Sequence, residues 1–281
     1  MIFPERDNIK INRIIEEALL EDIGNGDITT DSIIAPSINK KAILINKEEG
    51  IIAGLEIAHL VFKKLDSTIK FGKKVKEGII VKPHTTIAEI NGSARIILQG
   101  ERVALNFLQR MSGIATTTFK FCQKVKDYPV QILDTRKTIP GLRILDKYAI
   151  RIGGGKNHRF GLYDAVLIKD NHIAVAGSIT SAVNLVRSKT SPLIKIEIEV
   201  QNLIQLQEAL KAGVDIIMLD NMDLETMKQA VKLAKGKVLI EASGGITLDK
   251  VKEIAATGVD FISVGSLTHS VKALDISLEI I

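Results

Sequence analysis

Charged and small residues surround one apolar segment near the middle of the chain. Residues 153–173 read GGGKNHRFGLYDAVLIKDNHI and place three consecutive glycines, two histidines, an arginine, two lysines and two aspartates around the apolar AVLI. Charged side chains are costly to bury unless opposite charges or hydrogen bonds compensate them. Their concentration beside a buried strand therefore predicts a site that binds a small substrate carrying several negative charges.

Cationic side chains in two neighbouring motifs are suited to recognising such a substrate. DTRKT provides Arg136 and Lys137 directly after an apolar run, and GGGKNHR provides His158 and Arg159 before the next run. Arginine binds planar carboxylates through two hydrogen bonds, whereas lysine is a mobile point charge suited to phosphates. The pattern predicts a positive wall for a ligand with carboxylate groups. His158 can alternatively be a structural histidine, and the role of His172 stays open.

Two carboxylates and two glycine-containing turns indicate a second half of the same site. Glu199 and Asp220 end consecutive apolar runs, so both can face one cavity and hold a hard cation such as Mg2+, directly or through water. The turns EASGGIT and SVGSLTHS offer backbone N–H groups that can bind phosphate. The simpler alternatives are solvated acidic side chains and glycines that only allow tight turns. Because two neighbouring units share this turn chemistry, we favour phosphate binding.

These residues follow short apolar runs that alternate with amphipathic helical segments. The runs QILDTRK, AVLIKDN, IKIEIEV, DIIMLDN, KVLIEASGG and DFISVGS each stop at polar residues. Buried strands that alternate with helices are typical of parallel βα units, and the functional residues of a barrel lie where its strands end. We count about six strands where a full barrel has eight. The sequence therefore predicts an α/β protein whose catalytic domain, residues 111–269, is an incomplete (β/α) barrel.

The first 110 residues predict a smaller α+β sandwich domain. Apolar positions across residues 8–22 have helical spacing, with Asp7 or Asn8 available as the cap, and the following GNG predicts a turn. Strand-like runs KAILIN, GIIAG and TTIAEI come next, together with a helical segment, LEIAHLVFKKL. The strands and helices do not alternate regularly here, which distinguishes this region from the barrel.

A long helical pattern joins the two predicted domains. It reads LQGERVALNFLQRMSGIATTTFKFCQKV from residue 98, and Gly113 predicts a break between two helices within it. We therefore place the domain boundary near residue 110. The tail, residues 270–281, can pack with the N-terminal domain.

Composition narrows the class of protein. The 281 residues carry a net charge of +5, with 46% hydrophobic, 25% charged and 4% aromatic residues and no tryptophan. The lysines are scattered and few aromatic rings can stack on bases, which disfavours a nucleic acid partner. A single cysteine, Cys122, cannot form a disulfide within the chain. This fits the reducing cytoplasm, and because no apolar run approaches the roughly 20 residues that span a bilayer, we expect no membrane partner.

Nine motifs in order resemble the quinolinate phosphoribosyltransferases, also called carboxylating nicotinate-nucleotide pyrophosphorylases. They are EDIGNGDITT, GERVALNFLQRMSGIAT, DTRKTIPGLR, GGGKNHR, LIKDNH, IEIEV, IMLDN, EASGGI and VGSLTHS. The resemblance covers essentially the whole chain. It implies a two-domain enzyme that joins quinolinate to 5-phosphoribosyl 1-diphosphate with Mg2+ and releases nicotinate mononucleotide, diphosphate and carbon dioxide. It also implies a homodimer, or a larger assembly such as a hexamer of dimers.

The resemblance also implies roles for individual residues. Arg102 would reach into the site of a neighbouring subunit. The quinolinate carboxylates would be bound by Thr135, Arg136, His158, Arg159 and Lys169. The catalytic residues and ligands of the phosphoribosyl substrate would be Lys137, Glu199 and Asp220, the last two also holding Mg2+. The phosphate would be surrounded by Ser243, Gly244, Gly245, Val264, Gly265, Ser266 and His269.

Two alternatives remain from the sequence. The first is a paralogous barrel phosphoribosyltransferase that acts on another heterocyclic acid. Four cations, Arg102, Arg136, Arg159 and Lys169, argue for a dicarboxylate, because a monoacid would leave some of them unpaired. The second is a non-catalytic RNA-binding module, suggested by the sequence pI of 9.1 and opposed by the scattered lysines.

Overall fold

The computed structural model describes residues 4–281, with the side chain of Arg6 left undescribed, and divides into two compact units. The N-terminal unit contains the described residues up to Phe119, together with Thr138–Gly154 and Leu267–Ile281. The barrel unit contains Lys120–Lys137 and Gly155–Ser266. The N-terminal unit therefore contains the tail of the chain and also a segment from the middle of it, Thr138–Gly154.

The helices and strands of the described chain are numbered in chain order. The helices are α1 Glu5–Ile23, α2 Ile28–Ile33, α3 Leu55–Leu65, α4 Ala94–Lys124, α5 Arg143–Ile152, α6 Asp170–Ala176, α7 Ile179–Lys189, α8 Leu203–Ala212, α9 Leu224–Ala234, α10 Val251–Ala255 and α11 Ser266–His269. The strands are β1 Asn39–Asn46, β2 Gly50–Ile51, β3 Lys70–Lys73, β4 Ile80–Val81, β5 Thr86–Ser93, β6 Gln131–Leu133, β7 Val166–Ile168, β8 Ile196–Val200, β9 Ile216–Asp220, β10 Leu239–Ser243, β11 Phe261–Ser263 and β12 Ile276–Ile280. Within residues 4–281, no helix has both the length and the apolar character needed to cross a bilayer.

The N-terminal unit is built on an antiparallel sheet with strand order β12-β1-β5-β3, and β2 and β4 pair separately. Along β1 the buried positions alternate, with Ala42, Leu44 and Asn46 buried, as a sheet with one packed face requires. The tail of the chain joins this sheet, because Leu278 of β12 lies opposite Leu44 of β1. This explains why the last residues belong to the N-terminal unit.

The start of the chain confirms the first helix and corrects its cap. Helix α1 covers the predicted segment, but it begins after Pro4, and no side chain caps it. Asp7 and Asn8 lie inside the first turn, where their backbone N–H groups donate to the Pro4 carbonyl at 2.9 and 3.0 Å. Neither residue is therefore the cap. A short helix that the sequence analysis missed, α2, follows the turn and is capped by Asp27, which accepts a hydrogen bond from Thr30 N at 3.0 Å.

The predicted break at Gly113 is wrong, since α4 continues through it for 31 residues. A Cβ atom at this position would lie 2.2 Å from the Lys272 carbonyl oxygen and 3.1 Å from Ala273 Cα. Glycine is therefore present because another backbone segment approaches closely, and not because the helix ends. The same closeness occurs at Gly153, where a Cβ would meet the Ala115 carbonyl at 2.5 Å.

The barrel unit confirms the prediction of six parallel strands. Their order is β6-β11-β10-β9-β8-β7, and every paired neighbour is parallel. Strands β6 and β7 are the two edges of this ladder, as in an incomplete barrel. Beyond the β6 edge, Lys156 forms an isolated parallel bridge with Leu133, so the GGGKNHR segment lies beside that strand.

The two faces of this sheet have different chemistry. One face carries aliphatic side chains that are almost fully buried: Ile132, Ile168, Ile196, Ile198, Val200, Ile217, Leu219, Ile240, Ala242 and Ile262. Each larger side chain of this kind contributes about 1.5–3 kcal/mol when it is buried. The strand registers place Glu199 and Glu241 beside Met218, and Asp220 beside Ser243, on the opposite face. The pleat therefore separates the packing residues from the predicted site residues.

Candidate active site

Carboxylates of adjacent strands share the polar face of the barrel sheet. Glu199 pairs in register with Met218 on β9, and Asp220 lies two residues beyond Met218 on the same face. Because successive side chains in a strand point to opposite faces, Glu197 and Glu199 also face the same way. Lys169, directly after β7, forms an ion pair with Glu199. The structure thus brings together the end of β7 and the acidic ends of β8 and β9.

Asp134 anchors the GGGKNHR loop to the end of β6. Its carboxylate is fully buried and accepts hydrogen bonds from His158 N at 2.8 Å and Asn157 Nδ2 at 2.9 Å. Asp134 is the first polar residue after the apolar positions of the run QILDTRK, and no role was predicted for it. A buried carboxylate that accepts two N–H bonds is compensated by them. Its role here is to fix the position of His158.

A histidine and two buried glutamates form a cluster under the strand ends. His158 Nε2 lies 3.0 Å from Glu197 Oε2 and 3.8 Å from Glu241 Oε2. The other oxygens of both glutamates, Oε1, are buried and have no hydrogen-bond partner in the described chain. Burial, reinforced by the charge of Glu197, raises the pKa of Glu241 to about 8. Glu241 is therefore largely protonated at neutral pH, and the cluster carries less negative charge than its composition suggests.

Two arginines provide the positive side. Arg159 Nη1 donates to the Ala165 carbonyl at 3.0 Å, while Arg159 Nε is buried without a hydrogen-bond partner in residues 4–281. Burial lowers the pKa of Arg159, and the positive charge of Arg136 lowers it further. The two guanidinium groups are thus close enough to repel each other. An anionic ligand between them relieves that repulsion and can accept the unused N–H group.

The TRK segment is a tight turn after β6. The backbone N–H of Lys137 donates to Thr135 Oγ1 at 3.1 Å, and the Lys137 side chain is exposed. Small polar side chains commonly stabilise turns in this way. The turn presents Thr135, Arg136 and Lys137 at the same strand end, as the sequence pattern requires.

The turn after β10 requires glycine at position 244, because of its backbone conformation and because of a close neighbour. Gly244 has a φ of +100°, and a Cβ there would lie 2.2 Å from Asn221 Oδ1. Asn221 itself has a φ of 54°, donates its backbone N–H to the Ser243 carbonyl at 3.0 Å, and donates Nδ2 to Asp220 Oδ1 at 3.1 Å. Asn221 therefore links the acidic end of β9 to the glycine turn after β10. No functional role was predicted for it.

The remaining predicted residues divide between the units. Val264, Gly265 and Ser266 follow β11 in the barrel unit, where buried Val264 donates its backbone N–H to the Leu133 carbonyl at 3.0 Å. Arg102, on α4, and His269, on α11, are exposed residues of the N-terminal unit. The structure thus brings most predicted residues into the barrel unit and leaves these two outside it.

His172 acquires a structural role. Its Nδ1 accepts a hydrogen bond from Lys169 N at 2.9 Å, immediately before α6. A cavity of about 460 Å3 lies nearby against β7, α6 and α7, with a largely apolar lining. Among the predicted site residues, only Arg159 lines this cavity. The chemistry of the site therefore lies with the strand-end charges and not with the apolar cavity.

Comparisons with known proteins match these features over the whole chain. The N-terminal domain pattern of quinolinate phosphoribosyl transferase matches residues 27–112, and its C-terminal domain pattern matches residues 114–279. A probable carboxylating nicotinate-nucleotide pyrophosphorylase from Bacillus subtilis is 45% identical over 273 residues, covering 97% of this chain and 94% of the relative. The decarboxylating quinolinate phosphoribosyltransferase 2a from Nicotiana tabacum is 42% identical, covering 99% of this chain and 84% of that protein.

The chain belongs to the quinolinate phosphoribosyltransferase family. A solved nicotinate-nucleotide pyrophosphorylase from Francisella tularensis has the same fold, with a TM-score of 0.94, 44% identity, and coverage of 98% of this chain and 97% of that one. The resemblance seen in the sequence is therefore confirmed. The two domain patterns of the family meet between residues 112 and 114, near the predicted boundary, although contacts in the structure assign later segments to the N-terminal unit.

Family membership does not by itself assign the buried acidic residues. Glu197 and Glu241 lie within the runs IKIEIEV and KVLIEASGG, and no role was predicted for them. The available signal was their position: a glutamate two residues before a predicted site residue in a strand faces the same side, as Glu197 does relative to Glu199 and Glu241 relative to Ser243. This parity rule would have placed both beside the site.

Proposed function

We infer that this chain is a carboxylating nicotinate-nucleotide pyrophosphorylase. It transfers the phosphoribosyl group of 5-phosphoribosyl 1-diphosphate to quinolinate and releases diphosphate and carbon dioxide, giving nicotinate mononucleotide. The match to both family domains along the whole chain carries this conclusion. The charges of the barrel face support it, because cations and carboxylates occupy neighbouring strand ends.

Quinolinate carries two carboxylates, and the barrel unit offers cations to bind them. We assign the carboxylates to Arg136, Arg159 and Lys169, with Thr135 beside them. Arg159 supports this assignment because its buried Nε has no hydrogen-bond partner in the described residues. A ligand carboxylate that accepts this N–H forms a charge-assisted bond, the stronger class of hydrogen bond. A monoacid would leave one of these cations without a substrate carboxylate.

The acidic residues fit a hard metal ion. Glu199 and Asp220 provide carboxylate oxygens on adjacent strands and on one sheet face, the donor type that Mg2+ prefers. Bound there with the phosphoribosyl substrate, Mg2+ would neutralise charge on the departing diphosphate. Until the substrates bind, Lys169 balances the charge of Glu199 through their ion pair.

The reaction needs no side-chain nucleophile. The pyridine nitrogen of quinolinate attacks C1 of the ribose while the bond to diphosphate breaks, so positive charge develops on the sugar. Glu199 and Asp220 stabilise that charge, and Lys137 stabilises the leaving group. The bond between the pyridine C2 and its carboxylate then breaks to release carbon dioxide. The positive ring nitrogen stabilises the electron pair left on C2, which takes up a proton.

The sugar phosphate is assigned to the glycine turns. We propose that it lies against Ser243, Gly244 and Gly245, with the segment Val264–Ser266 and His269 around it. Gly244 supports this assignment, because its positive φ and the nearby Asn221 side chain exclude a Cβ there, and the next residue of the turn, Gly245, is exposed. Exposed backbone N–H groups near a helix start are suited to phosphate.

We also propose a homodimer, or a hexamer of dimers, in which Arg102 completes the site of the partner. Arg102 is exposed on α4. Mixing Arg102→Ala and Lys169→Ala proteins under subunit exchange tests this, because a hybrid dimer would contain one site free of both changes. Activity should return on mixing. No recovery despite proven exchange would contradict a shared site.

A product assay tests the activity directly. With quinolinate, 5-phosphoribosyl 1-diphosphate and Mg2+, the protein should form nicotinate mononucleotide and carbon dioxide in equal amounts. Nicotinate and other heterocyclic acids in place of quinolinate provide the comparison for a paralogous activity. Turnover of another acid without turnover of quinolinate would replace the proposed substrate. Steeply salt-dependent polynucleotide binding would instead favour the RNA-binding alternative.

A further inference from the structure

Both ring nitrogens of His158 already have partners within the protein. Nε2 lies 3.0 Å from Glu197 Oε2, and Nδ1 accepts a hydrogen bond from the backbone N–H of Arg159 at 2.7 Å. A nitrogen that accepts a hydrogen bond carries no proton, so the remaining proton of the neutral ring lies on Nε2 and points to Glu197. Neither nitrogen is then available to a substrate carboxylate.

The same arrangement argues against a metal ion at this cluster. His158, Glu197 and Glu241 provide ligand atoms within 4.8 Å of one another, a spacing that a metal ion can accept. A metal on Nε2 would move the proton of the neutral ring to Nδ1, where it would face the backbone N–H of Arg159. The buried polar atoms thus form a hydrogen-bonded cluster that holds the imidazole ring.

Three contacts hold His158, one through its main chain and two through its ring. The backbone N–H of His158 donates to the buried carboxylate of Asp134 at 2.8 Å, which fixes the main chain. Glu197, 6% exposed, and Glu241, 1% exposed, surround Nε2 and limit rotation of the ring. With its position set, the ring presents Nδ1 to the next residue and accepts its backbone N–H. The chain of contacts therefore runs from the glutamates through the imidazole to Arg159.

Arg159 is the end of that chain of contacts and a predicted carboxylate ligand. Its backbone is tied to His158, and its Nη1 is tied to the Ala165 carbonyl at 3.0 Å. These two bonds orient the guanidinium group and leave Nε unused. Displacement of a binding group by about 1 Å can cost a large part of its effect.

We propose that Glu197, Glu241 and His158 together position Arg159 to bind a carboxylate of quinolinate, and that His158 does not bind the substrate itself. This inference rests on the proposed function and changes the role that the family resemblance implied for His158. The three residues are positioning residues, whereas Arg159 contacts the substrate. Their effect on quinolinate binding therefore passes entirely through Arg159.

Two amide substitutions of His158 test the contacts of its two ring nitrogens separately. His158→Asn places an amide oxygen near Nδ1, where it can accept the Arg159 N–H, and loses the contact with the glutamates. His158→Gln reaches toward Nε2, keeps the contact with the glutamates and loses the Arg159 contact. Calorimetry should give about a 10-fold loss of quinolinate affinity for His158→Gln and less than about a 3-fold loss for His158→Asn. The opposite order would show that Nε2 contacts the substrate and would overturn the inference.

A double-mutant cycle tests the route through Arg159. Arg159→Ala should weaken quinolinate binding by about 100-fold, and adding His158→Gln to it should change the affinity by less than about 2-fold. A direct contact from His158 would instead multiply the two losses. A thermal unfolding curve for each variant shows whether the variant is folded before its affinity is compared. Should His158→Gln not fold, Glu197→Leu, which removes the same support from the opposite side, replaces it in the cycle.

Nitrogen NMR of 15N-histidine protein tests the tautomer without using activity. The His158 signals, identified by their absence from His158→Asn, should show a neutral Nε2–H ring both before and after quinolinate is added. Conversion to a doubly protonated ring on binding would mean a direct ion pair with the carboxylate and would contradict the proposal. If wild-type protein does not bind quinolinate, or if Arg159→Ala binds it normally, the proposed function fails instead.

Discussion

The two units differ in how many buried side-chain atoms lack a hydrogen-bond partner: within residues 4–281, Ser277 Oγ is such an atom in the N-terminal unit, and the barrel unit has more of them. In the N-terminal unit, Arg110 and Asp146 form a two-point ion pair at 2.9 and 2.7 Å, and Arg110 also donates to the Thr268 carbonyl at 3.2 Å. In the barrel unit, Arg159 Nε, Glu197 Oε1, Glu241 Oε1 and Ser263 Oγ are buried without a hydrogen-bond partner among residues 4–281. The first arrangement is complete without a ligand, and the second is not.

Other polar groups of the N-terminal unit repeat its pattern. Asn46, fully buried, donates to the Glu48 and Lys82 carbonyls at 2.9 and 2.8 Å and accepts from Thr85 N at 3.0 Å. Glu77 accepts from Tyr148 Oη at 2.7 Å and from Gly54 N at 3.1 Å. Such groups hold segments together. Buried atoms without partners cost free energy, and at a binding site a ligand can supply the missing partner.

The largest effect should follow from breaking the complete ion pair. Asp146→Ala leaves Arg110 half-buried without its carboxylate and should lower the free energy of unfolding by about 3–5 kcal/mol. Asp31→Ala is the matched control, because Asp31 pairs with Arg95 at an exposed position and should cost less than about 1 kcal/mol. Urea unfolding measures both. Equal losses of unfolding free energy in the two variants would mean that the buried Arg110–Asp146 pair stabilises the fold no more than an exposed pair does.

In the barrel unit, the corresponding substitution should affect binding more than stability. Lys169→Ala should weaken quinolinate binding by about 100-fold, because a carboxylate loses its cation, while the unfolding temperature changes little. Lys228→Ala removes the same charge from an exposed pair with Glu225 on α9 and should leave affinity unchanged. Calorimetry decides between them. An unchanged affinity in Lys169→Ala would remove Lys169 from the quinolinate site.

The raised pKa of Glu241, in the cluster with His158 and Glu197, should make the stability of the protein depend on pH. Since the pKa of Glu241 is about 8 when folded and near 4.5 when exposed, the folded state binds more protons between these values. Stability therefore falls as pH rises through this window, by about 2 kcal/mol between about pH 5.5 and 7.5. Glu241→Gln should abolish this loss, whereas Glu253→Gln, on the exposed side of α10, should retain it. Parallel unfolding curves for wild type and Glu241→Gln would contradict the raised pKa.

The smallest effect concerns backbone packing within the N-terminal unit. Gly113→Ala should improve helix propensity by about 1 kcal/mol, but the Cβ contact with the Lys272 carbonyl should reverse the sign and destabilise the protein by about 1–2 kcal/mol. Gly72→Ala, in strand β3, controls for the Cβ contact alone, because the nearest atom to its Cβ would be 4.0 Å away. A stabilised Gly113→Ala protein would show that the backbone at Lys272 shifts to accommodate the Cβ without a loss of stability.

Much of the barrel could be predicted because its signals are local. Each strand is a short apolar run, and the polar residue that ends it marks the functional edge, as with Glu199 and Asp220. The structure of the N-terminal unit was harder to predict from the sequence. Gly113 looks like a helix break in sequence, yet it sits inside α4, because its reason for being glycine lies 159 positions later at Lys272. Long-range contacts of this kind leave no local pattern.

The amino-acid sequence by itself determined the strand-and-helix order of the barrel, the family, and the residue types available for binding two carboxylates. Only the tertiary structure decided which of these side chains are still available to a ligand. His158 and Arg159 are adjacent in sequence and both can form hydrogen bonds, but the fold engages both ring nitrogens of His158 and leaves the buried Nε–H of Arg159 unused. The reason is physical: hydrogen-bond capacity belongs to a residue type, whereas its use depends on neighbours that the folded chain brings within about 3 Å.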